Sequence, residues 1–178
     1  MSERRIYALV GAIAIAAGAA LWLGFRVGGP ATTPSQVSPS ALFAATFADT
    51  RGVPGSLGRY QGKILVLNFW ATWCVPCRDE MPAFTRLQSR WAGRGVQFVG
   101  VSNEEPLRVE RFGRDLGINY PLWVGGDEVG ELARRLGNRL GALPFTVLID
   151  RQGNVLEARL GPYSESTLDS RLTQISAN

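Results

Sequence analysis

"NFWATWCVPCRDEMP", residues 68–82, is the stretch that decides the fold. It holds Cys74 and Cys77, the only two cysteines of the chain. Upstream, "KILVLNFWA" (63–71) is a continuous apolar, β-branched run, the pattern of a strand buried on both faces. Downstream, Met81, Phe84, Leu87 and Trp91 recur at helical spacing and predict a helix over 75–91. Cys74 therefore falls where a buried strand runs out and a helix begins. That is the carboxyl edge of an open sheet, where α/β sites form.

This placement carries chemistry. A helix start offers unpaired N–H groups and a partial positive charge, and both stabilise a thiolate. Cys74 is thus the expected nucleophile, with a lowered pKa. Cys77, about one turn further on, can attack a mixed disulfide on Cys74. Pro76, early in the helix, costs no hydrogen bond. Val75 and Pro76 between the cysteines bring neither positive charge nor side-chain donor, which leans the pair towards a reductant. Histidine is absent, so the usual four-ligand zinc site cannot be assembled. No metal and no cofactor is expected.

The chain has 178 residues, 46% apolar and 19% charged, enough for one domain plus an extra segment. Of 19 basic residues, Arg4, Arg5 and Arg26 flank an N-terminal segment, as does Glu3 of the 15 acidic ones. The remaining 16 basic and 14 acidic residues are too balanced for a nucleic-acid footprint. Residues 6–25, "IYALVGAIAIAAGAALWLGF", carry no charge and as a helix span about 30 Å, the thickness of a bilayer core. Tyr7 and Trp22 lie near its ends, and the arginines favour a cytoplasmic N-terminus. The expected organisation is a cytoplasmic stub (1–5), a transmembrane signal anchor (6–25), a Pro- and Ser-rich flexible linker (26–40) and a globular domain (41–178). A cleaved signal peptide is the alternative for the apolar segment.

Within the domain, "ATFADTRGVPGSL" predicts a small hairpin and "VQFVGVS" (96–102) a second buried strand. A helix over 107–116 leads to a short strand over 120–124. Asp127 is the expected N-cap of a helix that ends at Gly137. "FTVLID" (145–150) and "NVLEARL" (154–160) form an antiparallel pair across "RQG", and Ser164 caps a last helix. The fold class is α/β: a mixed central sheet with helices on both faces.

"FWATWCVPC" resembles the active-site signature of the thioredoxin superfamily. Pro82 matches the proline inside that family's active-site helix, and "ALPFTVLID" is similar to its cis-proline segment, with Pro144 the cis residue. The anchor with its tether, "GKILVLNFWATWC", and a helix–strand–helix insert before Pro144 resemble more closely the membrane-anchored TlpA/ResA/CcmG-like branch. The resemblance implies a redox-active Cys74–Cys77 disulfide, with Pro144 facing the sulfurs and Leu143 offering its backbone to a bound substrate chain. Trp73 beside Cys74 is expected to shield the sulfurs. Where ordinary thioredoxins have a buried aspartate, this chain has Asn68, which cannot titrate. Glu80, three residues after Cys77, is then the expected proton carrier, the alternative being a solvated helix position. Phe145 replaces a smaller or polar residue and is expected to alter the substrate groove.

The implied activity is that of a periplasmic, membrane-anchored thiol–disulfide oxidoreductase of the bacterial inner membrane, acting mainly as a protein-disulfide reductase. The implied clients are an apocytochrome c haem-attachment cysteine pair or a copper-site cysteine pair, with electrons from a membrane thiol-transfer partner. A disulfide oxidase or isomerase, or a tethered chaperone-like binding module, are the competing functions. A peroxidase is disfavoured, because a peroxidatic cysteine sits in a threonine-bearing loop and not in Cys-X-X-Cys.

Overall fold

The structure, a computed structural model, describes residues 37–177. The stub, the apolar segment and residues 26–36 of the linker lie outside the described residues. Among the described residues no helix is long and apolar enough to cross a membrane.

The described chain begins with a short helix α1 (Pro39–Phe43), N-capped by the Ser38 hydroxyl. Val37, Leu42 and Phe43 are buried, so packed structure starts inside the stretch read as the end of the linker. A hairpin of β1 (Thr46–Asp49) and β2 (Pro54–Ser56) follows, then a 3₁₀ turn over Leu57–Tyr60. Next come β3 (Ile64–Phe69), α2 (Val75–Trp91), β4 (Val96–Ser102), α3 (Pro106–Asp115) and β5 (Leu122–Val124). The chain closes with α4 (Asp127–Arg135), β6 (Phe145–Ile149), β7 (Val155–Leu160) and α5 (Glu165–Ser176).

The seven strands form one mixed sheet in the order β2-β1-β5-β4-β3-β6-β7. β3 runs parallel to β4, and β4 to β5, while β6 and β7 turn back antiparallel beside β3. All six residues of β3 are buried, as its unbroken apolar run predicts. Its side chains alternate between two cores. Ile64 and Val66 join Met81, Phe84 and Leu87 of α2 and Leu168 and Leu172 of α5. Leu65, Leu67 and Phe69 join Leu42 of α1 and Val129 and Leu132 of α4. Each such fully buried side chain contributes about 1.5–3 kcal/mol relative to exposure.

Two details differ from the sequence reading. The N-cap of α4 is Gly126, and Asp127 is its first helical residue. No side chain caps the first turn; the N–H of Gly126 is taken by the Glu128 carboxylate at 2.9 Å. Phe145 does not line a groove: it is 2% exposed and packs its ring against Phe69 at 5.7 Å.

Gly100 shows why a glycine interrupts β4. A Cβ there would lie 2.8 Å from Leu122 Cδ2 and 2.9 Å from Trp70 Nε1. The absent side chain lets the Trp70 indole lie down on the sheet, where it meets Phe112 at 5.1 Å.

Candidate active site

The end of β3 and the start of α2 build the centre of the site. Cys74 is the N-cap of α2, and its sulfur accepts the N–H of Cys77 at 3.3 Å. A cap residue's side chain meets the orphan donors of the first turn, which is where a thiolate on Cys74 would be stabilised. The two sulfurs are joined in a disulfide. Both cysteines are buried, Cys74 at 4% and Cys77 at 0% exposure. Val75 and Pro76 occupy the first helical positions and face solvent, where the missing N–H of Pro76 costs nothing. Trp73 exposes 68% of its surface and stands out from the domain beside Cys74, not folded down as a shield. Pro82 lies inside α2 and cannot donate to the Arg78 carbonyl four residues back.

The turn before Cys74 is fastened from the loop that follows β4. The Glu104 carboxylate accepts the Thr72 N–H at 2.5 Å and the Thr72 hydroxyl at 2.7 Å. Its backbone N–H meets the Ser102 hydroxyl at 3.3 Å.

Leu143–Pro144 is a cis peptide, at the position the sequence motif indicates. The loop leading to it is held by Asn138, 3% exposed, whose amide donates to the Ala142 carbonyl at 2.8 Å and accepts its N–H at 3.2 Å. Leu143 and Trp73 share the wall of a cleft of about 150 Å³ with Gly130 and Arg134 of α4.

Glu80 is no surface residue: it is 4% exposed. Standing three residues after Cys77, it lies on the same face of α2 one turn on. One carboxylate oxygen accepts from Asn68 Nδ2 at 3.0 Å, and the other from the Tyr163 N–H at 2.8 Å. Asn68 Nδ2 also donates to Thr146 Oγ1 at 3.0 Å. Burial pushes the Glu80 pKa from 4.5 up to about 7, against the pull of the Tyr163 and Asn68 hydrogen bonds and the Arg159 charge. The buried Tyr120 phenol is pushed up by burial first and then by the Glu80 charge. A cleft of about 370 Å³, lined by Pro76, Asp79, Arg159 and Tyr163, reaches Glu80 from solvent. The site therefore combines a closed disulfide at a helix start, a cis-proline loop and a buried carboxyl group that titrates near neutrality.

Sequence reasoning missed Tyr163, Thr146, Asn138 and Glu104. The first two come from strands and loops remote in sequence and carry no local motif. Asn138 and Glu104 sit in polar loops where an Asn or Glu is unremarkable.

Comparison with known proteins agrees with this geometry. Residues 39–158 match the AhpC/TSA family. The thiol-disulfide oxidoreductase ResA of Geobacillus thermodenitrificans is 34% identical over 129 residues, 72% of each chain. Among solved structures, a thiol:disulfide interchange protein of the thioredoxin family from Chlorobium tepidum is similar over 84% of this chain and 99% of its own, with 29% identity and a TM-score of 0.69. A secreted Mycobacterium tuberculosis disulfide oxidoreductase homologous to E. coli DsbE is similar in fold, at 22% identity and a TM-score of 0.63, over 74% of this chain and 96% of its own. The chain belongs to the AhpC/TSA family, in its thioredoxin-fold form.

Proposed function

We propose that this chain acts from the periplasmic face of the bacterial inner membrane as an anchored reductase of protein disulfides. That it is a thiol–disulfide oxidoreductase follows from its relatives. The observation that carries the rest is the Cys74–Cys77 pair at the start of α2, with no cation or donor between the sulfurs. A cation there would stabilise the thiolate form and make the couple more oxidising. The charge-free segment 6–25 supports anchoring, and the arginines around it support an outward-facing domain.

In the reaction, the Cys74 thiolate attacks one sulfur of a client disulfide. The client's other sulfur leaves as a thiolate and takes up a proton. Cys77 then loses its proton and attacks Cys74 of the mixed disulfide, closing the Cys74–Cys77 ring and releasing the client's second sulfur as a thiolate that also takes up a proton. The client gains two electrons and two protons, and the pair is oxidised. Glu80 accepts the Cys77 proton and passes it to solvent through the cleft beside Tyr163, which a carboxyl group titrating near 7 does well at neutral pH. The client is a cysteine pair awaiting haem or copper, as in an apocytochrome c or an oxidase copper site. A membrane thiol-transfer partner returns the chain to the dithiol state, since an oxidising compartment supplies no reductant of its own.

The test is the reduction potential of the pair in the full-length chain, equilibrated in thiol buffers and read by tryptophan fluorescence. A value near or below about −270 mV, that of thioredoxin, is expected. A value near about −120 mV would make the chain a disulfide donor and overturn the direction.

A further inference from the structure

The segment 161–164 joins β7 to α5, and three sets of bonds hold it. The Gly161 N–H donates to the carbonyl of cis-Pro144 at 2.9 Å. The Tyr163 N–H donates to Glu80. The Tyr163 side chain, 2% exposed, then leaves the site and donates its hydroxyl to the Glu157 carboxylate on β7. Glu157 is in turn fixed by Arg171 Nε of α5 at 2.8 Å. Arg159 adds a brace, with its guanidinium 4.7 Å from the Tyr163 ring and its Nε on the Pro162 carbonyl at 3.3 Å.

One short loop thus touches two parts of the site, and its own fixed point lies outside that site. We propose that Tyr163 is a positioning residue, whose phenol hooked onto the Glu157–Arg171 pair holds the loop so that Tyr163 N–H reaches Glu80 and Gly161 N–H reaches Pro144. The hook has no part in electron transfer. It sets how firmly the loop donates to the Glu80 carboxylate, and so at what pH that group gives up its proton. A backbone donor cannot be deleted by a side-chain change, but it can be loosened by releasing the loop. The other groups facing Glu80 are Asn68 from β3, Tyr120 ahead of β5, Asp79 in the same cleft and Arg159 from β7. Arg159 braces the loop itself, so any loosening of its charge adds to the same alkaline shift. This inference rests on Glu80 as the proton carrier only for its consequence in exchange, and the hook itself is tested without that reading.

The experiment follows the Glu80 side-chain carboxyl by 13C NMR in the oxidised full-length chain, with Glu80→Gln to assign the resonance. A hydrogen bond to the ionised form lowers a carboxyl pKa, so loosening it raises the midpoint. Tyr163→Phe, which removes only the hydroxyl, is expected to move the midpoint alkaline by about half a unit, the size of a partly lost hydrogen bond. Glu157→Ala should do the same. Glu157→Gln keeps an oxygen for the phenol but turns its NH₂ towards Arg171, so its shift should be smaller than that of Glu157→Ala. Midpoints of Tyr163→Phe and Glu157→Ala that superimpose on the parent, with only a lower denaturation midpoint, would overturn the proposal and leave Tyr163 a packing residue. A shifted Glu80 midpoint with an unchanged pH profile of thiol exchange would keep the hook and refute the proton-carrying role of Glu80 instead.

Discussion

Replacing Glu80 by Gln should change how stability depends on pH, and the sign and size of the change follow from burial. The folded chain holds the Glu80 proton up to about pH 7, against 4.5 for an unburied glutamate. Below about pH 4.5 the group is protonated in both the folded and the unfolded chain, and no cost is felt. Between the two values only the folded form keeps its proton, so stability falls as pH rises. Above about pH 7 the full cost is present, about 3 kcal/mol for a shift of this size. Gln cannot titrate and should lose this slope. It has a separate, pH-independent cost. Both carboxylate oxygens of Glu80 accept, from Asn68 and from the Tyr163 N–H. The Gln NH₂ group must face one of these donors, at about 1–3 kcal/mol. Urea denaturation of the oxidised full-length chain from about pH 4 to about pH 8 is the assay. The parent should be the more stable at the acid end, and the variant should gain on it by about 3 kcal/mol towards the alkaline end. A parent-minus-variant difference that stays constant with pH would refute the reasoning, because it would mean that Glu80 ionises alike in both states.

Two further substitutions probe the frame around the sulfurs. Gly100→Ala puts a methyl group within 3 Å of both Leu122 and Trp70, so an overpacking cost of about 1–3 kcal/mol should appear in denaturation, together with a change in tryptophan emission. Glu104→Ala frees the N–H and hydroxyl of Thr72 in the turn before Cys74. It should cost about 2–3 kcal/mol in urea denaturation, as a charged acceptor of two bonds is lost, and a loss below about 0.5 kcal/mol would mean that water replaces it freely.

What was legible in the sequence is what depends on near neighbours. The apolar run ending at Phe69 and the spacing of Met81, Phe84, Leu87 and Trp91 placed β3 and α2 on either side of Cys74, because a strand covered on both faces is apolar throughout and a helix covered on one face is apolar at its period. The cis bond at Pro144 was readable through a motif. The short helix α1 was not, since five residues are too few for any periodicity and straddle the end of the Pro- and Ser-rich stretch that reads as linker. The surroundings of Glu80 were invisible for a different reason. Asn68, Thr146 and Tyr163 meet around it only after β3, β6 and the loop before α5 are stacked together, and a residue type gives no sign of partners some 80 positions away. Burial of Glu80 itself breaks the rule that carboxylates face water, and such breaks concentrate where a site is built.

That break has a consequence for the redox step. In the oxidised chain the sulfurs are neutral, and Glu80 is the nearest titrating group on the buried face of α2. Reduction adds two thiols, of which Cys74 favours the thiolate at the helix start and Cys77, fully buried, favours the protonated form. A thiolate near Glu80 makes a second negative charge costly, so reduction should raise the affinity of the carboxyl group for its proton beyond that of the oxidised chain. Linkage then runs both ways: a protonated Glu80 favours the Cys74 thiolate, and loss of that charge in the mixed disulfide frees the carboxyl group to accept the Cys77 proton. The protons of the exchange are therefore shared between three groups, and pH profiles of the reduced chain should report apparent values belonging to the set. A Glu80 midpoint measured by 13C NMR that is identical in the oxidised and reduced chain would show that the carboxyl group and the sulfurs do not sense each other, and would remove the electrostatic basis for Glu80 as a proton carrier.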